Sequence, residues 1–152
     1  MKALVVFYSE SDNTAKIAGA IATRLGVVAK RVEAVNPADT AAYDLIVIGS
    51  PVHGSRPNAA VMRFIERMPQ LEGKKAAAFC TMHLFGDKKA IDIIARKLEE
   101  KGLKFIGGFC RRGLSRLVAN FGPRIFNRGR PSSLDLQEAA DFGGRLLDIA
   151  SK

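Results

Sequence analysis

Apolar residues along this chain fall into short unbroken runs that alternate with stretches of helical spacing. The run Ala3-Leu4-Val5-Val6-Phe7-Tyr8 has no polar interruption, which is the pattern of a strand buried on both faces. Six polar residues follow, Ser9-Glu10-Ser11-Asp12-Asn13-Thr14. Then Ile17, Ala18, Ile21, Ala22 and Leu25 recur at spacings of one, three and four, forming one apolar helix face. The alternation continues. Val27 to Val35 predicts a second strand, and the lysine and glutamate within it place it at an edge. Asp44 to Ser50 predicts a central third strand. Asn58 caps a helix carrying Ala59, Val61, Met62, Ile65 and Met68, which Pro69 ends. Lys75 to Met82 is a fourth strand, and Lys88 to Lys101 is a helix with Ile91, Ile94, Ala95 and Leu98 on one face, closed by Gly102. Leu103 to Cys110 is a fifth strand, and Leu134 to Ala150 is a last helix with Ser133 as its cap.

Strands alternating with helices predict an α/β fold in which right-handed crossovers put helices on both faces of a parallel sheet. The expectation is three layers around a five-stranded parallel sheet in the order 2-1-3-4-5. The ligand crevice then lies at the carboxyl ends of strands one, three and four. Residues 1–152 are read as one domain, long enough for a core of its own, with a basic insertion at about 111–132 before the last helix.

The loops at those carboxyl ends hold the unusual residues. A loop of hydroxyls and an amide on a helix N-terminus suits an anion, because unpaired N–H groups and the positive end of the helix dipole point at it. The first loop has neither the spaced glycines of a dinucleotide fingerprint nor a Walker loop. Its donors are Ser9, Ser11, Asn13 and Thr14, in the order S-E-S-D-N-T. That order resembles the S-x-T-G-x-T phosphate loop of flavodoxins, with Asp12 at the usual glycine. Aspartate is among the residues that tolerate a left-handed backbone. After strand three comes G-S-P-V-H-G-S-R-P, residues 49–57, similar to the flavodoxin loop G-(T/S)-P-x-x-x-G that covers one face of a flavin. After strand four comes Thr81-Met82-His83-Leu84-Phe85-Gly86-Asp87, which resembles the second flavin loop.

The resemblance spans nearly the whole chain, and it implies FMN as cofactor. Its phosphate would sit on Ser9, Glu10, Ser11, Asp12, Asn13 and Thr14. Its ring would lie between Pro51, Val52, His53 and Gly54 on one side and Thr81, Met82, His83, Leu84, Phe85 and Gly86 on the other. The chain has no tryptophan, so His53, His83 and Phe85 are the candidates for stacking on the ring. Two of them have an alternative: His53 as a loop histidine bonded to backbone, and Phe85 as a side chain buried beneath the domain. Arg56, His53 and His83 make a neutral or basic neighbourhood, which implies a less reducing flavin than in an acidic flavodoxin. No Ser/His/Asp triad, carboxylate pair or metal-ligand spacing stands out, so no catalytic or metal residue is assigned.

The net charge is +9. Residues 111–130 hold Arg111, Arg112, Arg116, Arg124, Arg128 and Arg130 and no acid, and without those six the chain has 18 basic residues against 15 acidic ones. In the same segment Leu114, Leu117, Val118 and Phe121 have the spacing of a short amphipathic helix. It reads as a self-packed subdomain, as a docking surface for an acidic redox partner of ferredoxin or reductase type, or as a contact with an anionic membrane. Nucleic acid is not expected, since no reading motif accompanies the charge. Cys80 and Cys110 lie in apolar runs and read as two buried thiols of a cytoplasmic protein, peripheral to the inner membrane face if the basic segment binds lipid. No signal peptide or apolar span is expected.

The functional expectation is an FMN-binding electron carrier of one or two electrons. One alternative is an FMN-dependent oxidoreductase acting on a quinone or tetrapyrrole at the membrane. The basic balance and the basic insertion are similar to the menaquinone-dependent protoporphyrinogen oxidase family. Another alternative is a flavodoxin-like interaction domain without FMN.

Overall fold

The computed structural model describes residues 1–82, 87–112 and 131–152. Strand β1 is Ala3–Phe7, β2 Lys30–Arg31, β3 Leu45–His53, β4 Arg56–Pro57, β5 Lys75–Met82 and β6 Lys104–Arg112. Helix α1 is Asn13–Leu25, α2 Ala59–Arg67, α3 Asp87–Glu100 and α4 Ser133–Ala150. The sheet order is β2-β1-β3-β5-β6, all parallel, and β4 folds back antiparallel on β3. Leaving aside the two-residue β4, this is the expected order 2-1-3-4-5.

The two sheet faces explain the unbroken apolar runs. Along β1, Ala3, Val5 and Phe7 face α1 and α4, where Ile17, Ile21, Phe142 and Leu146 are buried with them. Leu4 and Val6 face the opposite layer, with Val61, Phe64 and Ile65 of α2 and Ile94 and Leu98 of α3. A strand covered on both sides has no solvent face to make polar, so period two disappears from its hydropathy.

Four expectations are corrected. The second strand does not run from Val27 to Val35. Only Lys30–Arg31 pair with β1, and Val32–Ala34 turn into a 3₁₀ helix. Val28 is almost fully exposed, so its β-branched side chain has no layer to pack against. The third strand does not stop at Ser50. It continues to His53, because Ser50, Pro51 and Val52 stay in register with Cys80, Thr81 and Met82. The last helix is capped by Ser132 rather than Ser133. The Ser132 hydroxyl accepts from the Asp135 N–H, and the Asp135 carboxylate accepts from the Ser132 N–H, a reciprocal capping box. Finally, Cys80 and Cys110 are not free thiols. They are paired residues of β5 and β6 and form a disulfide.

Asn58 caps α2 as expected, its side-chain oxygen accepting from the Ala60 N–H at 2.7 Å. Its own N–H donates to the buried hydroxyl of Ser50 at 2.8 Å, tying the helix start to the end of β3. Asn58→Ala is expected to cost about 1 kcal/mol of stability, the usual loss of a capping side chain. Chemical denaturation checks this, and an unchanged midpoint would contradict the capping role.

Candidate functional site

Three chain segments meet at the carboxyl ends of β1, β3 and β5. The first, Ser9 to Thr14, leaves β1 and enters α1. Asp12 is the N-cap residue of α1 with φ of 64°, so it occupies the left-handed conformation that glycine adopts most readily. Its side chain makes no capping bond; its carbonyl accepts from the Lys16 N–H. Ser9 is buried, and its hydroxyl accepts from the Ala15 N–H at 3.3 Å. Asn13 and Thr14 are also buried, whereas Glu10, Ser11 and Asp12 are exposed.

The second segment is a β-hairpin, not the open loop its glycines and prolines suggest. Val52 pairs with Pro57 and His53 with Arg56. Between them, Gly54 and Ser55 have φ of 56° and 64°. A two-residue turn with positive φ at both positions matches the twist of its flanking strands, and glycine at the first position adopts it without steric cost. Pro51 and Val52 are buried, and His53 and Gly54 stand exposed at the tip. The third segment is the end of β5, where Thr81 is buried and Met82 half-buried. His83, Leu84, Phe85 and Gly86 lie outside the described residues.

Two side-chain contacts join the three segments. The hydroxyls of Thr14 and Thr81 are hydrogen-bonded at 2.7 Å in a buried position. Glu10 Oε2 lies 3.5 Å from Nε2 of the exposed His53, linking the first loop to the hairpin tip. So the sequence-derived residues of the first loop, the hairpin and the β5 end are brought to one rim.

Sequence reasoning missed Arg31. It sits on edge strand β2, paired with Phe7. Its guanidinium donates to the Ser9 carbonyl at 3.1 Å, lies 3.9 Å from the Asp12 carboxylate and covers the Phe7 ring at 5.5 Å. An arginine on a short edge strand carries no local signal; only the parallel pairing of β2 with β1 brings it to the loop. Sequence reasoning also missed Ser50, which accepts from Asn58 and donates to the Pro51 carbonyl at 2.8 Å, fixing the base of the hairpin.

Of the basic segment, Arg111 is described, and it is engaged within the fold. Its guanidinium pairs with Glu138, lies 3.8 Å from buried Asp135 and covers the Phe109 ring. The expected amphipathic helix at 114–121 and the arginines from Arg116 to Arg130 lie outside the described residues. Among the described residues no helix is long and apolar enough to cross a membrane, and no cluster of His, Cys, Asp or Glu is arranged to hold a metal ion.

A family model described as "Flavodoxin domain" matches residues 4–121, which includes all three segments. The chain belongs to the flavodoxin domain family. An uncharacterized protein of Methanocaldococcus jannaschii is 30% identical to it over 151 residues, covering 97% of this chain and 99% of that one. Among solved structures, oxidised Flavodoxin 1 from Bacillus cereus is similar with a TM-score of 0.76 at 22% identity, covering 97% of this chain and 98% of that one. A flavoprotein from Lactobacillus acidophilus NCFM, solved in complex with FMN, is similar with a TM-score of 0.61 at 21% identity, covering 72% of this chain and 92% of that one. Within this flavodoxin domain, Asp12 keeps the left-handed turn despite its side chain, and Arg31 lies beside the charge that Asp12 adds.

Proposed function

We propose that this chain binds FMN non-covalently at the carboxyl rim of its sheet and carries one or two electrons between redox partners. The observation that carries the reading is the meeting of the hydroxyl-rich loop on α1 with the His53 hairpin and the end of β5, through the Thr14–Thr81 and Glu10–His53 contacts. The solved complex of the related flavoprotein with FMN supports the choice of ligand.

The donor set fits the group. A phosphate needs several short donors and an approachable backbone, and Ser9, Ser11, Asn13 and Thr14 supply hydroxyls and an amide at a helix N-terminus. Glu10 and Asp12 complete that loop, Glu10 reaching across to the hairpin. Pro51, Val52, His53 and Gly54 would flank the ring on one side, and Thr81 and Met82, with His83 to Gly86 beyond them, on the other. When bound, FMN supplies reversible one- and two-electron chemistry. The chain's own part is to hold and orient it and to limit water at the ring. Buried Thr14 would position the phosphate end, its bond to Thr81 tying that end to the ring-side segment, and His53, exposed at the hairpin tip, offers a flat face at the ring end. The arginines beyond Arg111 would supply the acidic-partner or membrane surface.

The test is titration of FMN into the apoprotein. Uptake at micromolar concentration, with bound-flavin absorbance bands, is expected; no uptake at that level overturns the reading. The loaded protein is then expected to pass electrons from a ferredoxin-type reductase to cytochrome c, with little turnover of a soluble quinone analogue. Sustained quinone turnover would replace the carrier role with an oxidoreductase.

A further inference from the structure

Asp12 poses an electrostatic problem for a loop that is to hold an anion. Its carboxylate is exposed at the start of α1, where a phosphate dianion would meet like charge. Among the described residues, Arg31 stands against it. Arg31 Nη2 lies 3.9 Å from Asp12 Oδ1, while Nη1 of the same guanidinium donates to the Ser9 carbonyl at 3.1 Å. The planar head covers the Phe7 ring at 5.5 Å. The head is thus held at three points, on the two ends of the loop and on the strand beneath it. A guanidinium holds two acceptors in a fixed fork and stacks on an aromatic face, which an ammonium does less well.

We propose that Arg31 is a specificity-determining residue of this site: it offsets the Asp12 charge and pins the loop, so that the loop selects a phosphorylated flavin over the neutral riboflavin. The proposal rests on FMN being the ligand and adds how a loop with aspartate in the glycine position accepts a dianion. Arg31 acts here through Asp12 and the Ser9 carbonyl, as a positioning residue. Its position at 31 is paired with Phe7 on β1, so the counter-charge reaches the loop from a neighbouring strand. The side chain is partly exposed, so its effect is screened by salt, because the Debye length falls from about 10 Å at 0.1 M to about 3 Å at 1 M ionic strength.

The experiment is a double-mutant cycle read as dissociation constants for FMN and for riboflavin at low salt, with Arg31→Gln, Asp12→Gly and the double variant. Arg31→Gln is expected to weaken FMN about tenfold, the size of one charge-assisted interaction, and to leave riboflavin within about twofold. In the Asp12→Gly background the same change is expected to cost FMN about threefold or less, because the charge to be offset is gone. Arg31→Lys is expected to recover only part of the FMN affinity, since it restores the charge but not the fork that holds both acceptors. Three results would each overturn the proposal: equal losses for FMN and riboflavin, an unchanged FMN affinity in Arg31→Gln, or the same loss with and without Asp12. Arg31 lies on a two-residue edge strand, and thermal unfolding of each apo variant separates binding loss from folding loss. If the unaltered protein takes up no FMN, the functional reading fails first. If it takes up FMN and the cycle shows no coupling, only the role of Arg31 fails.

Discussion

Gly49→Ala is expected to destabilise the fold by about 3 kcal/mol, the upper end of the usual overpacking range. Gly49 pairs with Phe79 across β3 and β5, and the Phe79 ring fills the space above it. A Cβ built on Gly49 would lie within 3.0 Å of three ring carbons of Phe79. Phe79 is fully buried and packed with residues of β1, α1 and β6, so its ring has no open side to move to. The first glycine of the G-S-P motif therefore serves packing beneath the hairpin. Urea denaturation of the apoprotein measures the loss. Phe79→Leu in the Gly49→Ala background is expected to recover part of it by vacating the ring's place. A loss below about 1 kcal/mol would show that the ring repacks without strain.

The second large effect concerns binding. Ser9→Ala together with Thr14→Ala is expected to weaken FMN at least about a hundredfold, while riboflavin changes by less than about threefold. Hydrogen bonds to a charged group are worth about 1.5–3 kcal/mol each, and two of them exceed the roughly 2.8 kcal/mol that a hundredfold requires. Both hydroxyls also have work in the free protein: Ser9 accepts from the Ala15 N–H and Thr14 bonds Thr81. The double variant therefore loses some stability as well. Riboflavin, which shares the ring and ribityl but lacks the phosphate, separates the two effects in isothermal titration. Equal losses for both ligands would mean that the hydroxyls shape the site without touching the phosphate.

The sheet was legible in the sequence because β1, β3 and β5 are covered on both faces, and their apolar runs leave no competing helical period. The left-handed turn at Asp12 was legible only through the resemblance of its loop to one with glycine there, with which aspartate is compatible. What escaped depended on pairing rather than on local pattern. Val27 to Val35 has strand-forming residues, but an edge position leaves Val28 without a packing partner, so only two residues join the ladder. Gly49-Ser50-Pro51 reads as a loop by composition, yet β5 alongside keeps it extended. The cystine escaped because no local pattern marks a pair of cysteines separated by 30 in sequence; only the register of β5 beside β6 brings them together. Strands four and five are neighbours in the expected order, and both cysteines fall near the carboxyl ends, which is where the structure pairs them. Arg31 escaped for the same reason, since its partner loop is about twenty residues away in sequence.

The Thr14–Thr81 bond spans 67 residues of sequence, and this sets the order of events during synthesis. At about 5–20 residues per second, the first loop leaves the ribosome seconds before the strand that completes its rim. Helix α4 follows them both, and it packs on α1 so closely that a side chain added at Gly143 would press on the Ile21 carbonyl. Until α4 docks, α1 lacks its outer support and the loop it carries is not held in place. A ligand at this rim is therefore expected to bind once α4 has docked, and to stabilise the folded population by mass action.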